Sequence, residues 1–208
     1  MVGGKWLRLG DCTNLIQGTF INRIQTSKLS EESETVHLLT LKEFNETLGL
    51  SYRISHDKNT EVYVRKDKLS KDLFTDSSSL VMHTLSQKVA FLPKKYSGLL
   101  LTNNFIKIEF TDQFDLFFME WYLNEHPTIQ KQIALFSEGS VIPSLKLSHI
   151  RDIELSLPSY EQQEQMGKIN VLKKKKEQLL KEKMRLEQQM IHQKLVNITN
   201  RSTQEEEK

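Results

Sequence analysis

Basic side chains fall into two blocks of the sequence, and their charge suits contact with an anionic partner. Residues 51–71 hold six Lys and Arg against three acidic residues, and residues 83–107 hold four lysines and no acid. Residues 109–125 then hold five acids and no base. This segregation predicts a surface with separate positive and negative regions, the positive one able to attract an anion. Ordinary solvated loops give the same pattern, so an anion-binding surface and solvated loops are both possible interpretations.

Residues capable of catalysis are present, but none has the spacing that a nuclease, hydrolase or metalloenzyme requires. Asp57 and Glu61 resemble a nuclease carboxylate pair, yet no lysine follows at E-x-K spacing. Ser77–Ser79 lack a G-x-S-x-G elbow, Cys12 has no adjacent base, and no phosphate-binding loop or N-P-P-[YF] methylase motif occurs. Six histidines stand singly, without metal-ligand spacing: His37, His56, His83, His126, His149 and His192. The sequence therefore predicts a protein that is not an enzyme and binds no metal or cofactor itself.

Composition favours one domain with an appendage. The 208 residues are 38% hydrophobic and 27% charged, and the net charge of +2 is too small to indicate a partner by itself. Cys12 is the single cysteine, which excludes an intramolecular disulfide and suits a reducing cytosol. Because no apolar run reaches the length of a signal peptide or a membrane span, we expect a cytoplasmic protein without membrane contact.

Short β-like runs dominate the first part of the chain and predict an α+β domain that is mainly sheet. They are rich in β-branched or aromatic residues and are bounded by turn formers: KWLRLGD, TVHLLTL, EVYVRK, QKVAFL, GLLLTNNFIKIEF and DIELSLP. In FIKIEF, the alternation of Phe105, Ile106, Ile108 and Phe110 predicts a strand with one buried face. Residues 136–158 are predicted to return the chain to β structure.

One helix interrupts these strands, within DQFDLFFMEWYLNEHPTIQKQIALF. Thr111 or Asp112 is the expected N-cap, and Pro127 is expected to force a break. Aromatic residues recur there at helical spacing and predict a stripe that faces the core rather than a cofactor: Phe114, Phe117, Phe118, Trp121 and Tyr122.

A second, much longer helix is predicted from Ser159 onward. Ser159 and Gln162 match the S-x-x-Q capping box, and good helix formers without Pro follow to about residue 196. Seven residues step by three and four and form a heptad seam with two lysines: Ile169, Leu172, Lys176, Leu179, Lys183, Leu186 and Met190. So narrow an apolar stripe favours a coiled coil with another polypeptide, a solitary solvated helix being the alternative. The predicted divisions are a domain over residues 1–158, a spacer helix over 159–198 and a disordered tail over 199–208.

Several segments, in their order, resemble one protein family: WLRLGDCTNLIQGTF, LVMHTLSQKVAFLP, SGLLLTNNFIKIEF and YLNEHPTIQKQIALFSEGS. The most specific is the ending KLSHIRDIELSLPSYEQQEQMGKI, which carries Leu147, Ile150, Ile153, Leu155, Leu157, Pro158, Glu161, Gln162 and Gln165. The chain resembles a target-recognition domain with its spacer helix from the specificity subunit of a type I restriction–modification system. Family members usually carry two such domains and two spacers, so the chain resembles a half-subunit. A Gly-Asp turn is frequent in the family before the LVMH segment, whereas this chain has TDSSS there.

The resemblance implies a non-catalytic protein that recognises double-stranded DNA for a type I adenine methyltransferase and restriction complex. S-adenosylmethionine would belong to a separate modification (methyltransferase) subunit, and ATP with Mg²⁺ to a restriction or motor subunit. The modification subunit is expected to dock on the spacer helix through polar positions such as Lys173–Lys176, a solvated charge run being the alternative. Because the spacer helices of complete members pack antiparallel, this helix is expected to form an intermolecular antiparallel coiled coil in a homodimer. Two-fold symmetry would then require a bipartite DNA target with inverted halves. The expected dimerisation residues are Ile169, Leu172, Leu179, Leu186 and Met190.

Charge distribution selects the candidate DNA-binding residues, because Lys and Arg neutralise phosphates while Arg, Asn and Gln contact base edges. One wall of the expected interface consists of Arg53, Lys58, Arg65, Lys66 and Lys68. The other consists of Lys88, Lys94 and Lys95, with Tyr52, Tyr96, Asn103 and Asn104 as candidate readers. Asn103 and Asn104 could instead close a β-turn.

Two other functions are distinguishable from DNA recognition. A protein-binding scaffold, dimerised through the same coiled coil, would bind DNA weakly and without a steep salt dependence. A nuclease is disfavoured by the missing carboxylate–lysine motif, and metal-dependent cleavage by the purified chain would revive it.

Overall fold

The computed structural model describes residues 6–28, 30–50, 60–137 and 145–206, with side chains to residue 199. The chain divides into two units, Met1–Asn170 and Val171–Lys208. The described residues of the first unit form eight strands: β1 (Trp6–Arg8), β2 (Thr13–Gln17), β3 (Ser33–His37), β4 (Glu61–Arg65), β5 (Leu80–His83), β6 (Lys88–Phe91), β7 (Phe105–Phe110) and β8 (Glu154–Ser156). Its five shorter helices are α1 (Ile21–Ile24), α2 (Leu41–Thr47), α3 (Leu116–Glu125), α4 (Pro127–Ser137) and α5 (Leu147–Arg151). The long helix α6 (Tyr160–Glu206) begins in the first unit and continues through the second. This confirms the predicted α+β class.

An antiparallel sheet with strand order β2-β7-β5-β6 forms the centre of the first unit. Its strand β7 is buried on both faces, whereas the sequence predicts one buried face. Ile106 and Ile108 enter the main core, while Phe105 points to the opposite side and enters a second core. The single-face prediction was wrong because separate core clusters cover the two faces of β7, which the alternation within the strand cannot show.

Two strands of this sheet, β2 and β5, were not predicted as strands. The β2 sequence TNLIQ is mostly polar and only Leu15 in it is buried, while all four residues of β5 are buried. Neither has the period-2 alternation of a half-buried strand, so pairing defines them, β2 with β7 and β5 with both β7 and β6.

Two smaller ribbons accompany the sheet. Strands β1 and β8 pair antiparallel, and β3 pairs antiparallel with β4 so that Thr35 lies opposite Tyr63. Ile24, Val36, Val64 and Leu100 form a third core cluster beneath the β3–β4 ribbon. The six runs of sequence predicted to be β-like each overlap one of the observed strands. In the run of residues 136–158, of which 138–144 lie outside the described residues, helix α5 precedes β8, so residues 147–151 depart from the predicted β structure.

Helices α3 and α4 meet at the predicted break. Helix α3 ends at Glu125, and Pro127 begins α4. The expected caps Thr111 and Asp112 were wrong, because the Asp115 carboxylate accepts the amide of Phe118 at 2.7 Å and starts the helix later.

The aromatic stripe of α3 faces the core, as predicted, for most of its residues. Phe118 and Tyr122 are buried, and Phe114 and Trp121 pack partly buried against the same cluster. Phe117 departs from the stripe and is exposed. The Tyr122 hydroxyl donates to the carbonyl of Ser156 at 3.0 Å and so ties α3 to β8.

Helix α6 begins at the predicted capping box. The Gln162 amide donates to the Ser159 hydroxyl at 3.4 Å, and the Ser159 amide donates to the Gln162 side chain at 3.2 Å. The helix continues to Glu206, although a disordered tail is predicted from residue 199. No Pro or Gly follows residue 167 to end the helix. Among the helices of the described residues, none is apolar over a length sufficient to cross a bilayer.

Candidate nucleic-acid interface

One predicted group of cations lies together at the end of β4. Arg65 ends that strand, and Lys66 and Lys68 belong to the single helical turn that follows, all three being exposed. Asp67 occupies the middle of this group and accepts two hydrogen bonds from the Arg65 guanidinium, Nη2–Oδ2 at 2.8 Å and Nε–Oδ1 at 3.1 Å. These bonds lower the pKa of the Asp67 carboxyl. Asp67 therefore competes with any phosphate that approaches Arg65.

A second group, Lys94–Tyr96, forms a helical turn beyond the end of β6. The Lys95 ammonium lies 2.7 Å from a carboxylate oxygen of Glu46 on α2 and 4.5 Å from the centroid of the Tyr96 ring. The hydrogen bond to Glu46 raises the pKa of Lys95. The geometry thus holds a cation on an aromatic face at the surface, with one carboxylate beside it.

Lys88 does not join this second group. It begins β6, opposite His83 of β5, whereas Lys94 and Lys95 follow the other end of the same strand. The three lysines predicted to form one wall are therefore divided between two ends of β6. An extended strand separates residues that are close in sequence by about 3.3 Å per residue.

Asn103 and Asn104 form the turn that precedes β7. The Asn103 amide donates to the side-chain oxygen of Asn104 at 3.1 Å, and the Asn104 carbonyl accepts the amide and the hydroxyl of Thr84. Gln17 donates to the Asn103 carbonyl at 3.2 Å. The turn-closing role that the sequence allows for these two residues is therefore present, and their role as base readers stays a prediction. The other candidates Tyr52, Arg53 and Lys58 lie outside the described residues.

Lys107 is a buried cation that the sequence does not distinguish from surface lysines. Its side chain is 4% exposed, and its ammonium lies 2.7 Å from Asp76 and 2.8 Å from Glu109, with the Phe74 carbonyl at 3.3 Å. Burial disfavours the charged ammonium, but the two carboxylates outweigh it and raise the pKa of Lys107. This lysine joins the segment before β5 to the middle of the sheet.

Asp76 also forms the turn within the TDSSS segment. Its carboxylate accepts the Ser78 amide at 2.9 Å and the Ser79 hydroxyl at 2.8 Å. Burial would raise the pKa of Asp76, but the hydrogen bonds from Lys107, Ser78 and Ser79 outweigh it and lower the pKa to about 2. TDSSS therefore makes an Asp-closed turn without the glycine.

Two cation–aromatic pairs were missed by the sequence analysis. The guanidinium carbon of Arg23 lies 4.6 Å from the ring centroid of Phe20, and the Lys28 ammonium lies 5.5 Å from that of Tyr63. A signal was available, because residues 12–30 contain no Asp or Glu although the chain is 27% charged.

The predicted dimerisation residues share one exposed face of α6, called the seam face here. Each is at least 49% exposed: Ile169, Leu172, Leu179, Leu186 and Met190. Lys183, at one of the seam's polar positions, lies 3.7 Å from Glu187 one turn on. A row of large apolar side chains in water is unfavourable and indicates a surface that another helix would cover.

The helix has a further apolar row that the sequence analysis missed, called the second apolar face. Its members are also at least 49% exposed: Leu180, Met184, Ile191, Leu195 and Ile198. Leu180 and Ile191 directly follow Leu179 and Met190, so they lie about 100° round the helix from the seam face. Two apolar faces exceed what a single partner helix covers.

Two features of the described residues bear on metal binding and on thiol chemistry. They contain no cluster of three or more His, Cys, Asp and Glu side chains that could hold a metal ion. Cys12 is buried, and burial together with Asp112 and Asp11 raises the pKa of its thiol to about 11. A thiol so protonated is a poor nucleophile.

Comparison with known proteins gives matches only among solved structures. No protein-family model matches the sequence, and no curated protein matches it. The HsdS subunit from Thermoanaerobacter tengcongensis superposes with a TM-score of 0.55 at 15% identity, over 86% of this chain and 44% of that one. A chain from a type I R-M system, solved for its complex assembly and conformational transition, gives 0.59 at 16% identity, over 89% and 45%. This chain has the HsdS fold.

The type I restriction–modification S subunit from M. genitalium also matches, with a TM-score of 0.48 at 14% identity, over 87% of this chain and 42% of that one. The present chain therefore spans less than half the length of each of these three solved chains. The HsdS fold agrees with the resemblance found in the sequence, and it accounts for a strand-rich unit followed by a long helix.

Proposed function

We propose that this chain is the DNA-recognition subunit of a type I system, which directs an adenine methyltransferase and restriction complex to a specific site. The HsdS fold, which extends over 86% and 89% of the chain in two solved structures, is the observation that supports the proposal most. It agrees with the family resemblance of the segment KLSHIRDIELSLPSYEQQEQMGKI, residues 146–169.

DNA binding would begin with phosphate contacts from exposed cations. Arg65, Lys66 and Lys68 at the end of β4 and Lys94 and Lys95 beyond β6 are exposed and positively charged. Each cation that neutralises a phosphate releases bound counterions, so affinity falls steeply as salt rises. If six phosphates are contacted, raising salt from 50 to 200 mM would lower the affinity about a thousandfold or more.

This chain would itself catalyse no step. Methyl transfer from S-adenosylmethionine would belong to a modification subunit, which would also flip the target base, and ATP-driven steps to a restriction or motor subunit. The role of this chain would be to bind one sequence and hold those partners there.

The seam face would join two copies of the chain in an antiparallel coiled coil. Leu172, Leu179 and Leu186 recur every seven residues and would alternate with Lys176 and Lys183, polar residues that set register in such helix pairs. The pair would be a homodimer with two-fold symmetry, so its two recognition units would bind inverted halves of a bipartite site. The second apolar face would then stay open and could bind a helix of the modification subunit. It would serve as a second contact beside Lys173–Lys176 or replace that contact.

The deciding experiment is methylome sequencing of cells that express the full chain with its cognate methyltransferase. We expect modified adenines in one split palindrome, lost when this chain is deleted and restored when it is supplied again. A methylome unchanged by deletion would reject the proposal. Binding of a protein ligand together with weak, salt-insensitive DNA binding would instead support the scaffold function.

A matched pair of variants separates phosphate contacts from general charge. Lys66→Ala, in the candidate interface, should weaken DNA binding about equally for all sequences and lower the salt slope by about one. Lys131→Ala removes an exposed lysine of α4, outside the candidate interface, and should leave the affinity unchanged. Fluorescence anisotropy at three salt concentrations measures both.

A further inference from the structure

Phe20 and Arg23 form an exposed pair on the segment that follows β2. Phe20 is 48% exposed, and the guanidinium carbon of Arg23 lies 4.6 Å from its ring centroid. An aromatic face attracts a guanidinium and holds its planar fork of donors in one orientation. The pair therefore presents an oriented set of N–H donors beside an apolar ring.

The backbone that carries this pair is fixed on both sides. The amide of Gly18 donates to the Phe105 carbonyl at 2.9 Å, and that of Thr19 donates to the Leu101 carbonyl at 2.9 Å. A Cβ at Gly18 would lie 2.2 Å from the carbonyl oxygen of Thr102, so only glycine permits this approach. After the pair, Ile24 is buried in the cluster beneath the β3–β4 ribbon. Such support holds a recognition side chain within the narrow tolerance that base contacts need.

The segment that carries the pair has no acid of its own, which favours contact with a polyanion, while Glu31, Glu32 and Glu34 follow it around the start of β3. Residues 12–30 contain no acidic residue, and Lys28 lies over the ring of Tyr63. Tyr63 and Arg65 are two residues apart on β4 and project from the same side of the ribbon. Glu61, an acid on this side, accepts the Tyr63 hydroxyl at 3.0 Å. The segment thus places Lys28 beside β4, the strand that ends at Arg65.

We propose that Arg23 reads a base edge of duplex DNA and determines specificity, with Phe20 as its positioning residue and Lys28 on a neighbouring phosphate. The inference rests on the proposed DNA-recognition function. The forked donors of Arg match the O6 and N7 acceptors of guanine in the major groove, which a lysine contacts as a point charge only. The predicted readers Asn103 and Asn104 are hydrogen-bonded to each other in a turn, whereas the Arg23 guanidinium is exposed.

The test compares Arg23→Lys, Arg23→Ala and Phe20→Leu with the wild-type chain in the same methylome experiment. Arg23→Lys keeps the charge, so its affinity for random duplex DNA and its salt slope should stay within about twofold of wild type. Discrimination at one base pair of the modified site should fall roughly 5- to 150-fold in both Arg23 variants. Phe20→Leu should lower the discrimination at the same base pair. The control Arg8→Lys, on β1, should keep the wild-type target.

Melting temperatures separate loss of reading from loss of fold, since Arg23→Lys alters only an exposed side chain. The inference would be overturned if cells with the Arg23→Ala variant modified the wild-type target fully and no other sequence. It would also be overturned if the Arg8→Lys control lost discrimination at the same base pair. If the wild-type chain directs no modification, the proposed function itself fails. If it does and the Arg23 variants match it, only the role of Arg23 fails.

Discussion

Gly167 of α6 lies directly against the carboxylate of Asp115, the N-cap of α3. A Cβ built at Gly167 would be 2.1 Å from Asp115 Oδ1, the oxygen that accepts the Phe118 amide. On either side of this contact, Gln163 accepts the Asp115 amide at 3.3 Å and Asn170 donates to the Phe117 carbonyl at 2.9 Å. The start of α6 is thus attached to α3 by a glycine and two buried amides rather than by its heptad leucines.

Gly167→Ala should destabilise the first unit, although Gly→Ala in a helix ordinarily stabilises by about 1 kcal/mol. The added methyl displaces the Asp115 carboxylate, and losing an N-cap costs about 0.5–2 kcal/mol. Thermal or urea unfolding measures the change. In an Asp115→Ser background, where the shorter side chain removes the contact with Oδ1, the same substitution should cost less. A more stable Gly167→Ala protein would show that the contact with Asp115 has no energetic weight.

Lys107→Met should lower the free energy of unfolding by about 2–4 kcal/mol. The methionine fills similar space but leaves Asp76 and Glu109 without their cation. Removing one partner of a buried ion cluster is strongly destabilising, because the remaining charges are no longer compensated. Both carboxylates are about one-third exposed, so solvent screens part of the penalty and the loss stays below that of a fully buried pair. Adding Asp76→Asn to Lys107→Met should recover part of the stability, and simple additivity of the two losses would contradict this coupling.

Acid should weaken the fold through the same cluster. The pKa of Asp76 is lowered to about 2 from 3.8, so its contribution is complete above pH 4 and is lost as pH falls towards 2. Unfolding measured between pH 2 and 5 should show stability decreasing with acidification. In Asp76→Asn this slope should be smaller, because the folded state no longer holds a carboxylate there. Equal slopes in both proteins would contradict the pKa shift.

Cys12 should resist thiol reagents in the folded protein. Its pKa of about 11, raised by burial and by Asp112 and Asp11, leaves about one thiolate in a thousand at pH 8. Reaction with a chromogenic disulfide should be at least about 100-fold slower in the native protein than in urea. Ser97→Cys in a Cys12→Ser background puts the same thiol at an exposed position and should react fast. Rapid native labelling of Cys12 would indicate that the first unit opens readily.

Leu179→Asp should convert a dimer to a monomer if the seam face pairs two chains. Light scattering of the wild-type chain should give twice 24.3 kDa, because the exposed leucines bury each other. A charge at Leu179 would be buried unpaired in that interface and should return the mass to 24.3 kDa. Gln178→Asp, an exposed neighbour off the seam, and Leu195→Asp, on the second apolar face, should both stay dimeric. A wild-type monomer at micromolar concentration would end the dimer proposal.

The sequence by itself determined the features that depend on local interactions. The capping box at Ser159 and Gln162 starts α6 because its hydrogen bonds join residues three apart, and Pro127 separates α3 from α4 because it lacks an amide hydrogen. The heptad leucines are likewise a local pattern, and all of them are exposed.

Only the tertiary structure decided what depends on residues far apart in the chain. Strands β2 and β5 exist through pairing with β7, and Lys107 is buried because Asp76, 31 positions earlier, lies beside it. Lys88 and Lys94, close in sequence, are divided by the extended strand β6, whereas the Arg23 segment meets β4 across the ribbon. Burial and charge pairing are set by which surfaces meet, and a linear pattern of residue types does not contain that information.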